Sequence, residues 1–206
     1  MLRNKLFTLF AFAALMLSSL TANAAANPLN ELLHRTGDPV VGNPKGKVTV
    51  VEFFDYQCGH CVAMADIMAD IVKTNPNVRV VYKDFPIRGP MSDFAARAAV
   101  AASRQGKYAA FSHALLTTRS PLSQSVVFSL AKETGVNLPT MQDEMNSSAV
   151  LNTLRANASL AQALGVNGTP AFIIGPTNAT DMKQLSFIMG EMSSSELQEA
   201  VQKASK

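Results

Sequence analysis

The sequence predicts an α/β protein: one sheet covered by helices, with an all-helical block inserted between its two halves. Three observations carry this reading. Residues 48–83 have the pattern strand, helix, strand; residues 92–164 contain no convincing strand; strand character returns at Ala171–Ile174 and Leu185–Met189. At 206 residues, and with about 150 residues to a domain, the chain is one domain with an appendage, or two small ones.

The elements follow in order. Met1–Ala26 opens with Arg3 and Lys5, continues through 15 uncharged residues from Leu6 to Leu20, and closes on Thr21-Ala22-Asn23-Ala24. That is the three-part pattern of a signal peptide, with cleavage expected after Ala24, or after Ala26 as second choice. An uncleaved anchor or buried helix is the alternative, but the run falls short of the about 20 residues that cross a bilayer core. Residues 25–47 form an N-terminal arm. Asn27–Arg35 within it has Leu29, Leu32 and Leu33 on one side of a short amphipathic helix, and Asp38–Lys47 reads as a Gly- and Pro-rich connector.

Val48–Phe54 is β-branched and aromatic on both parities, as in a strand covered on both faces. Past Cys58 the period changes: Cys61, Ala65, Met68 and Val72 recur at helical spacing until Asn75-Pro76-Asn77 stops the helix. Val78–Lys83 completes a β-α-β unit. In the helical block, Ser92 reads as an N-cap and Ser120-Pro121 as a cap followed by proline in the first turn. Gly106, Gly135 and Gly165 fall where helices end. Ser193-Ser-Ser-Glu196 has the form of a capping box opening a last helix.

Composition excludes several function classes. Hydrophobic residues make up 48% and the net charge is only +3, so general disorder is ruled out. Setting Arg3 and Lys5 aside leaves 16 of the 18 basic side chains against 15 acidic ones. That balance gives no basis for a nucleic-acid partner.

Only two cysteines occur, in Cys58-Gly59-His60-Cys61. An exported chain that needed staples would carry more, spread along its length, so the pair points to chemistry. Residues three apart on a helix share a side, within disulfide reach. A strand entering that helix puts Cys58 at an exposed first turn, where unpaired N–H groups and the helix dipole favour a thiolate. Cys61, one turn deeper, is the expected resolving partner. A protonated His60 beside Cys58 favours the thiolate and makes the disulfide more oxidising; the alternative is a solvated loop residue. Zinc needs four ligands, and the chain offers two cysteines and three scattered histidines. Copper(I), which two thiolates can hold, remains a rival reading.

Two segments together, Phe53-Phe-Asp-Tyr-Gln-Cys-Gly-His-Cys61 and Val166-Asn-Gly-Thr-Pro-Ala-Phe172, resemble the DsbA-like branch of the thioredoxin superfamily, exported thiol–disulfide oxidoreductases. The resemblance covers roughly Val48 to the C-terminus. It implies a thioredoxin fold over residues 48–206 with a helical insertion at about 90–165, and no bound cofactor or metal. It also implies a cis-proline at Pro170 facing the cysteines, with Thr169 before it and a backbone able to pair with substrate. A trans turn proline is the alternative. Glu52 matches the family's acidic residue on the strand before the motif; its carboxyl either exchanges protons with Cys61 or is satisfied by a lysine such as Lys83.

By the same resemblance the chain is a periplasmic oxidase that introduces disulfides into exported proteins with free cysteines, and a membrane reoxidant of the DsbB kind restores it. Two departures point the other way. Gly-His between the cysteines is typical of eukaryotic disulfide isomerases, and threonine before the cis-proline is familiar from the DsbC and DsbG isomerases, which a DsbD-like donor keeps reduced. Those isomerases dimerise through a separate N-terminal domain, for which the arm is too short. A monomer is expected, with a dimer through the Leu29/Leu32/Leu33 helix as the alternative. His34 and His113, the four Asn-X-Ser/Thr triplets and the methionines receive no site role.

Overall fold

A computed structural model describes residues 27–206; the expected signal peptide, residues 1–24, lies outside the described residues. The order is α1 (Pro28–Leu33), β1 (Val40–Gly42), β2 (Val48–Phe54), α2 (Gly59–Thr74), β3 (Val78–Asp84), five helices α3 (Pro90–Ser103), α4 (Tyr108–Thr117), α5 (Gln124–Glu133), α6 (Leu138–Glu144) and α7 (Ser148–Ala163), then β4 (Ala171–Pro176), β5 (Ser186–Met189) and α8 (Ser194–Ala204). A short 3-10 turn, Met182–Gln184, precedes β5. The five strands form one mixed sheet in the order β1-β3-β2-β4-β5, parallel only between β2 and β3.

All seven residues of β2 are buried, because both faces of this central strand are covered. Val51 and Phe53 pack under α1 and α7, while Val48 and Val50 pack with Met64 and Met68 of α2 and Leu197 of α8. Phe54 turns to the helical block, whose core centres on the alanines of α3 and on Phe111 and Leu115 of α4. Leu29, Leu32 and Leu33 of α1 are buried against the chain's own sheet, so the face that would have served a dimer arm is occupied from within.

Three local expectations are corrected. The connector at 38–47 contains strand β1, which pairs antiparallel with β3 at the sheet edge; three residues are too few for a periodic signal. Helix α3 starts two residues before Ser92, at Pro90, with Gly89 at φ +101 as N-cap. Proline suits a first helical position and only glycine enters that turn without strain, so this pair displaces the serine cap. Helix α5 is capped by Ser123, whose Oγ accepts from Val126 N at 3.3 Å, and not by Ser120; this register turns Val127 and Ala131 into the core. The glycine stops hold: Gly106, Gly135 and Gly165 all have positive φ past helix ends. The capping box at Ser193 and Glu196 is present.

Candidate active site

Strand β2 delivers the chain to a three-residue loop, Asp55–Gln57, and Cys58 becomes the N-cap of α2. Asp55 fixes that loop. Its carboxylate accepts from Gln57 N at 2.7 Å, from Ile87 N at 2.7 Å, from Arg88 N at 2.9 Å and from Ser92 Oγ at 2.7 Å, while its carbonyl accepts from Cys58 N at 3.1 Å. One buried acid therefore ties the cysteine loop to the segment after β3 and to the first turn of α3. Ser92, displaced as a cap, contributes here instead.

The Thr169–Pro170 bond is cis, and Thr169 faces the cysteines. Cys58 Sγ lies 3.1 Å from the Thr169 carbonyl oxygen. Thr169 Oγ1 is buried and makes no hydrogen bond among the described residues, so its hydroxyl is free to donate to a sulfur anion. Both cysteines are free thiols.

The expectation of an exposed Cys58 is corrected: the residue has no accessible surface of its own, because Thr169 lies over the sulfur. The cover is thin, since Gln57, Gly59 and His60 beside it are all exposed. Desolvation, the largest influence, pushes the Cys58 thiol up, but donors to its anion outweigh it: the Thr169 side chain, the Cys61 backbone N–H and the Cys61 thiol, with the charge of Arg88 adding to them. The net result is a Cys58 thiol below its ordinary value. The Thr169 carbonyl works against this, since an acceptor favours the protonated sulfur. Cys61 is also fully buried; there desolvation dominates and holds the thiol far above the ordinary range.

His60 is exposed, with its Nδ1 2.9 Å from Glu191 Oε2. The hydrogen bond and charge of Glu191 raise its pKa, and Cys58 adds to this. Glu52, 2% exposed, sits across from Tyr82 on β3 and Phe172 on β4. Burial, then the charges of Cys58 and Asp84, push its carboxyl up to about 8. Lys83 does not satisfy it. Lys83 pairs with Phe53 across the strands and so points to the opposite face, where its Nζ donates to the Glu31 carbonyl at 2.6 Å and to Asp38.

Residues 49–202 match the DSBA-like thioredoxin domain. The chain belongs to this family. The thiol:disulfide interchange protein DsbA of Bordetella parapertussis is 29% identical over 173 residues, covering 81% of this chain and 82% of that protein. A thioredoxin-like oxidoreductase from Silicibacter pomeroyi superposes with a TM-score of 0.77 at 40% identity, over 85% of this chain and 96% of its own. A periplasmic thioredoxin-like protein from Salmonella enterica serovar Typhimurium does so with a TM-score of 0.76 at 27% identity, over 87% and 97%. The chain spans about a quarter of the length of other curated relatives, Na(+)/H(+) antiporters; NhaA 1 of Mycolicibacterium gilvum is 27% identical over 156 residues, 70% of this chain and 25% of the antiporter. Among the described residues no helix is long and apolar enough to cross a membrane.

Around this DsbA-like site stand residues that the sequence did not single out. Asp84, at the end of β3, is fully buried and accepts from Tyr56 Oη at 2.9 Å and Tyr108 Oη at 2.8 Å. Tyr56 Oη also reaches Ser112 Oγ at 3.1 Å, so the loop before Cys58 is locked to α4. Burial pushes Asp84 up to about 7 against the pull of the two tyrosines. Asp55 had a local signal, an aspartate opening a tight turn three residues before Cys58. Arg88, Glu191 and Asp84 had none, because each is brought in from a separate element. His113 lies on α4 with Nε2 3.0 Å from Asp66 Oδ1. Asn157, first residue of one Asn-X-Ser/Thr triplet, is buried and donates to the Asp84 carbonyl at 2.9 Å.

Proposed function

We propose that this DsbA-like chain is a periplasmic thiol:disulfide oxidoreductase that introduces disulfides into exported proteins through Cys58 and Cys61. The observation that supports it is the asymmetry of the pair: adjacent sulfurs, one held below the ordinary thiol value and the other far above it. A structural disulfide has no use for such a difference; an exchange enzyme does, since the lower-pKa thiol is the better leaving group.

In the oxidised form a substrate thiolate attacks Cys58 Sγ. The Cys58–Cys61 bond breaks and a Cys58–substrate bond forms. Cys61 leaves with the electron pair and takes a proton, for which the Glu52 carboxyl, neutral at neutral pH, is the nearby source. A second substrate thiolate then attacks the substrate sulfur of the mixed disulfide and expels Cys58 as thiolate. Two electrons pass from substrate to enzyme, and the substrate gains one disulfide. The Thr169 hydroxyl and the first-turn N–H of Cys61 stabilise the departing Cys58 anion, Arg88 and His60 supply positive charge near it, and the Thr169–Pro170 backbone aligns the substrate segment. A membrane reoxidant of the DsbB kind restores the disulfide, and no bound cofactor takes part. The N-terminal pattern at 1–24 and the periplasmic Salmonella relative support the location.

Thiol trapping of Cys58 and Cys61 in cells tests the direction. A mostly oxidised pair, with a potential near about −120 mV, supports the oxidase; a mostly reduced pair near about −270 mV sinks it in favour of an isomerase or reductase fed by a DsbD-like donor. Disulfide formation by the parent no faster than by a Cys58→Ala protein, alongside tight copper(I) uptake by the reduced parent, would sink exchange through this pair.

A further inference from the structure

A cavity of about 300 Å³ opens between α2 and α4, over the β2–β3 pair. Its floor is Glu52 and Tyr82, direct neighbours in the sheet register. Met68, Val72 and Leu116 make apolar walls, and Ala69 and Ala110 form an exposed rim of small residues that leaves the mouth open. That volume sits at the lower end of small-molecule pockets, and an apolar wall with one convergent polar group is their usual composition.

The polar group is unusual. Glu52 is 2% exposed, lines the cavity, and makes no side-chain hydrogen bond among the described residues. Its surroundings are anionic: Cys58 and Asp84 both act on it with the same sign. Among the described residues no lysine or arginine lines the cavity. The cations on β3 point through the opposite face of the sheet, where Arg79 donates to the Leu33 carbonyl at 2.7 Å and Lys83 to the Glu31 carbonyl. His113, at the mouth, is already paired with Asp66. A buried acid in an apolar chamber, with no cation built in, lacks one complement: a positive charge that arrives on an apolar carrier.

We propose that this cavity binds a small apolar amine, its ammonium donating to the Glu52 carboxyl and its hydrocarbon body against Met68, Val72 and Leu116. The assignment goes beyond disulfide exchange and does not depend on it. Binding is read on the cavity and not at the sulfurs, so its failure leaves the exchange reading intact.

The test titrates phenylethylamine into isotope-labelled reduced protein at about pH 8.5, where Glu52 is largely ionised, and follows backbone amide shifts. Phenylethanol and phenylpropionate serve as neutral and anionic controls of the same shape. The expected result is saturable shifts at Ala65, Ala69, Ala110 and His113 with the amine, and binding about ten-fold or more weaker for both controls. Glu52→Gln is expected to bring the amine down to the level of the alcohol, and Ala110→Phe, on the exposed rim, to abolish binding by closing the mouth. Absence of saturation by about 10 mM amine, equal binding of phenylpropionate, or undiminished amine affinity in either variant overturns the assignment.

Discussion

Glu191 Oε2 lies 2.9 Å from His60 Nδ1, so the histidine between the two cysteines is bound to the loop that follows β5. Both side chains are more than half exposed, which screens the pair and leaves little stability in it. What it changes is protonation. Glu191 raises the His60 pKa, and the imidazole keeps its charge to a higher pH than an unpaired one. Glu191→Gln should move the His60 ring titration downward, by proton NMR, while the urea midpoint of unfolding stays put. A His60 midpoint that does not move would show that the contact is not populated in solution.

Thr169 acts on the same sulfur from the other side. Its hydroxyl is buried, makes no hydrogen bond among the described residues, and favours the anions of both cysteines. Thr169→Val keeps the shape and removes the donor. The expected outcome is a Cys58 thiolate midpoint that rises toward 9.0, the ordinary thiol value, with a fall in its reaction rate with iodoacetamide below that pH. The disulfide should become less oxidising in step, because the reduced form loses part of its stabilised anion. Thiolate ultraviolet absorbance against pH is the direct measurement, and an unchanged midpoint would show that the Thr169 hydroxyl does not stabilise the anion.

Much of this was legible in the chain and some of it was not. Local patterns located β2, α2, β3 and the insert, because continuous apolar runs and a switch to helical spacing depend on neighbours in sequence. They also placed Cys58, Cys61, Thr169 and Pro170 together, on motif and resemblance. Strand β1 escaped notice because its three residues owe their conformation to pairing with β3. Lys83 was a reasonable partner for Glu52 by distance along β3, but parity puts the two on opposite faces, and Tyr82 stands where the lysine was expected. The thin cover over Cys58 comes from a loop 111 residues away, beyond any window of sequence. The Tyr56–Asp84–Tyr108 contact was equally hidden, since each member reads alone as an ordinary core or strand-end residue.

That contact carries a stability prediction. Asp84 has no solvent to turn to, so each tyrosine hydroxyl it loses leaves part of a buried carboxyl unsatisfied. Tyr108→Phe should cost about 1–3 kcal/mol in urea unfolding. Because the Tyr108 hydrogen bond pulls the Asp84 pKa down, its loss should push that pKa above about 7. Tyr56→Phe should cost a similar amount and also free the loop before Cys58 from Ser112, which amide hydrogen exchange at Gln57 and Cys58 would register. Equal stability of both variants with the parent would mean that the network is already broken in solution.

Glu52 gives the clearest dependence on pH. Its carboxyl titrates near 4.5 in an unfolded chain and at about 8 in the folded one. Between those values the folded state holds a proton that the unfolded state has released, so stability must fall as pH rises. The contribution is complete below 4.5 and is lost as pH passes through 8. Asp84, raised from 3.8 to about 7, adds a slope of the same sign over its own window. Each group can contribute at most about 1.4 kcal/mol per pH unit. Glu52→Gln removes one of the two slopes. Reduced variant and parent, unfolded in urea at about pH 5 and about pH 9, should therefore diverge: the variant gains on the parent as pH rises and exceeds its stability at the alkaline end, where the parent must bury a charge. Parallel curves would mean that Glu52 ionises as freely inside the fold as outside it, and would remove it as the proton source for Cys61.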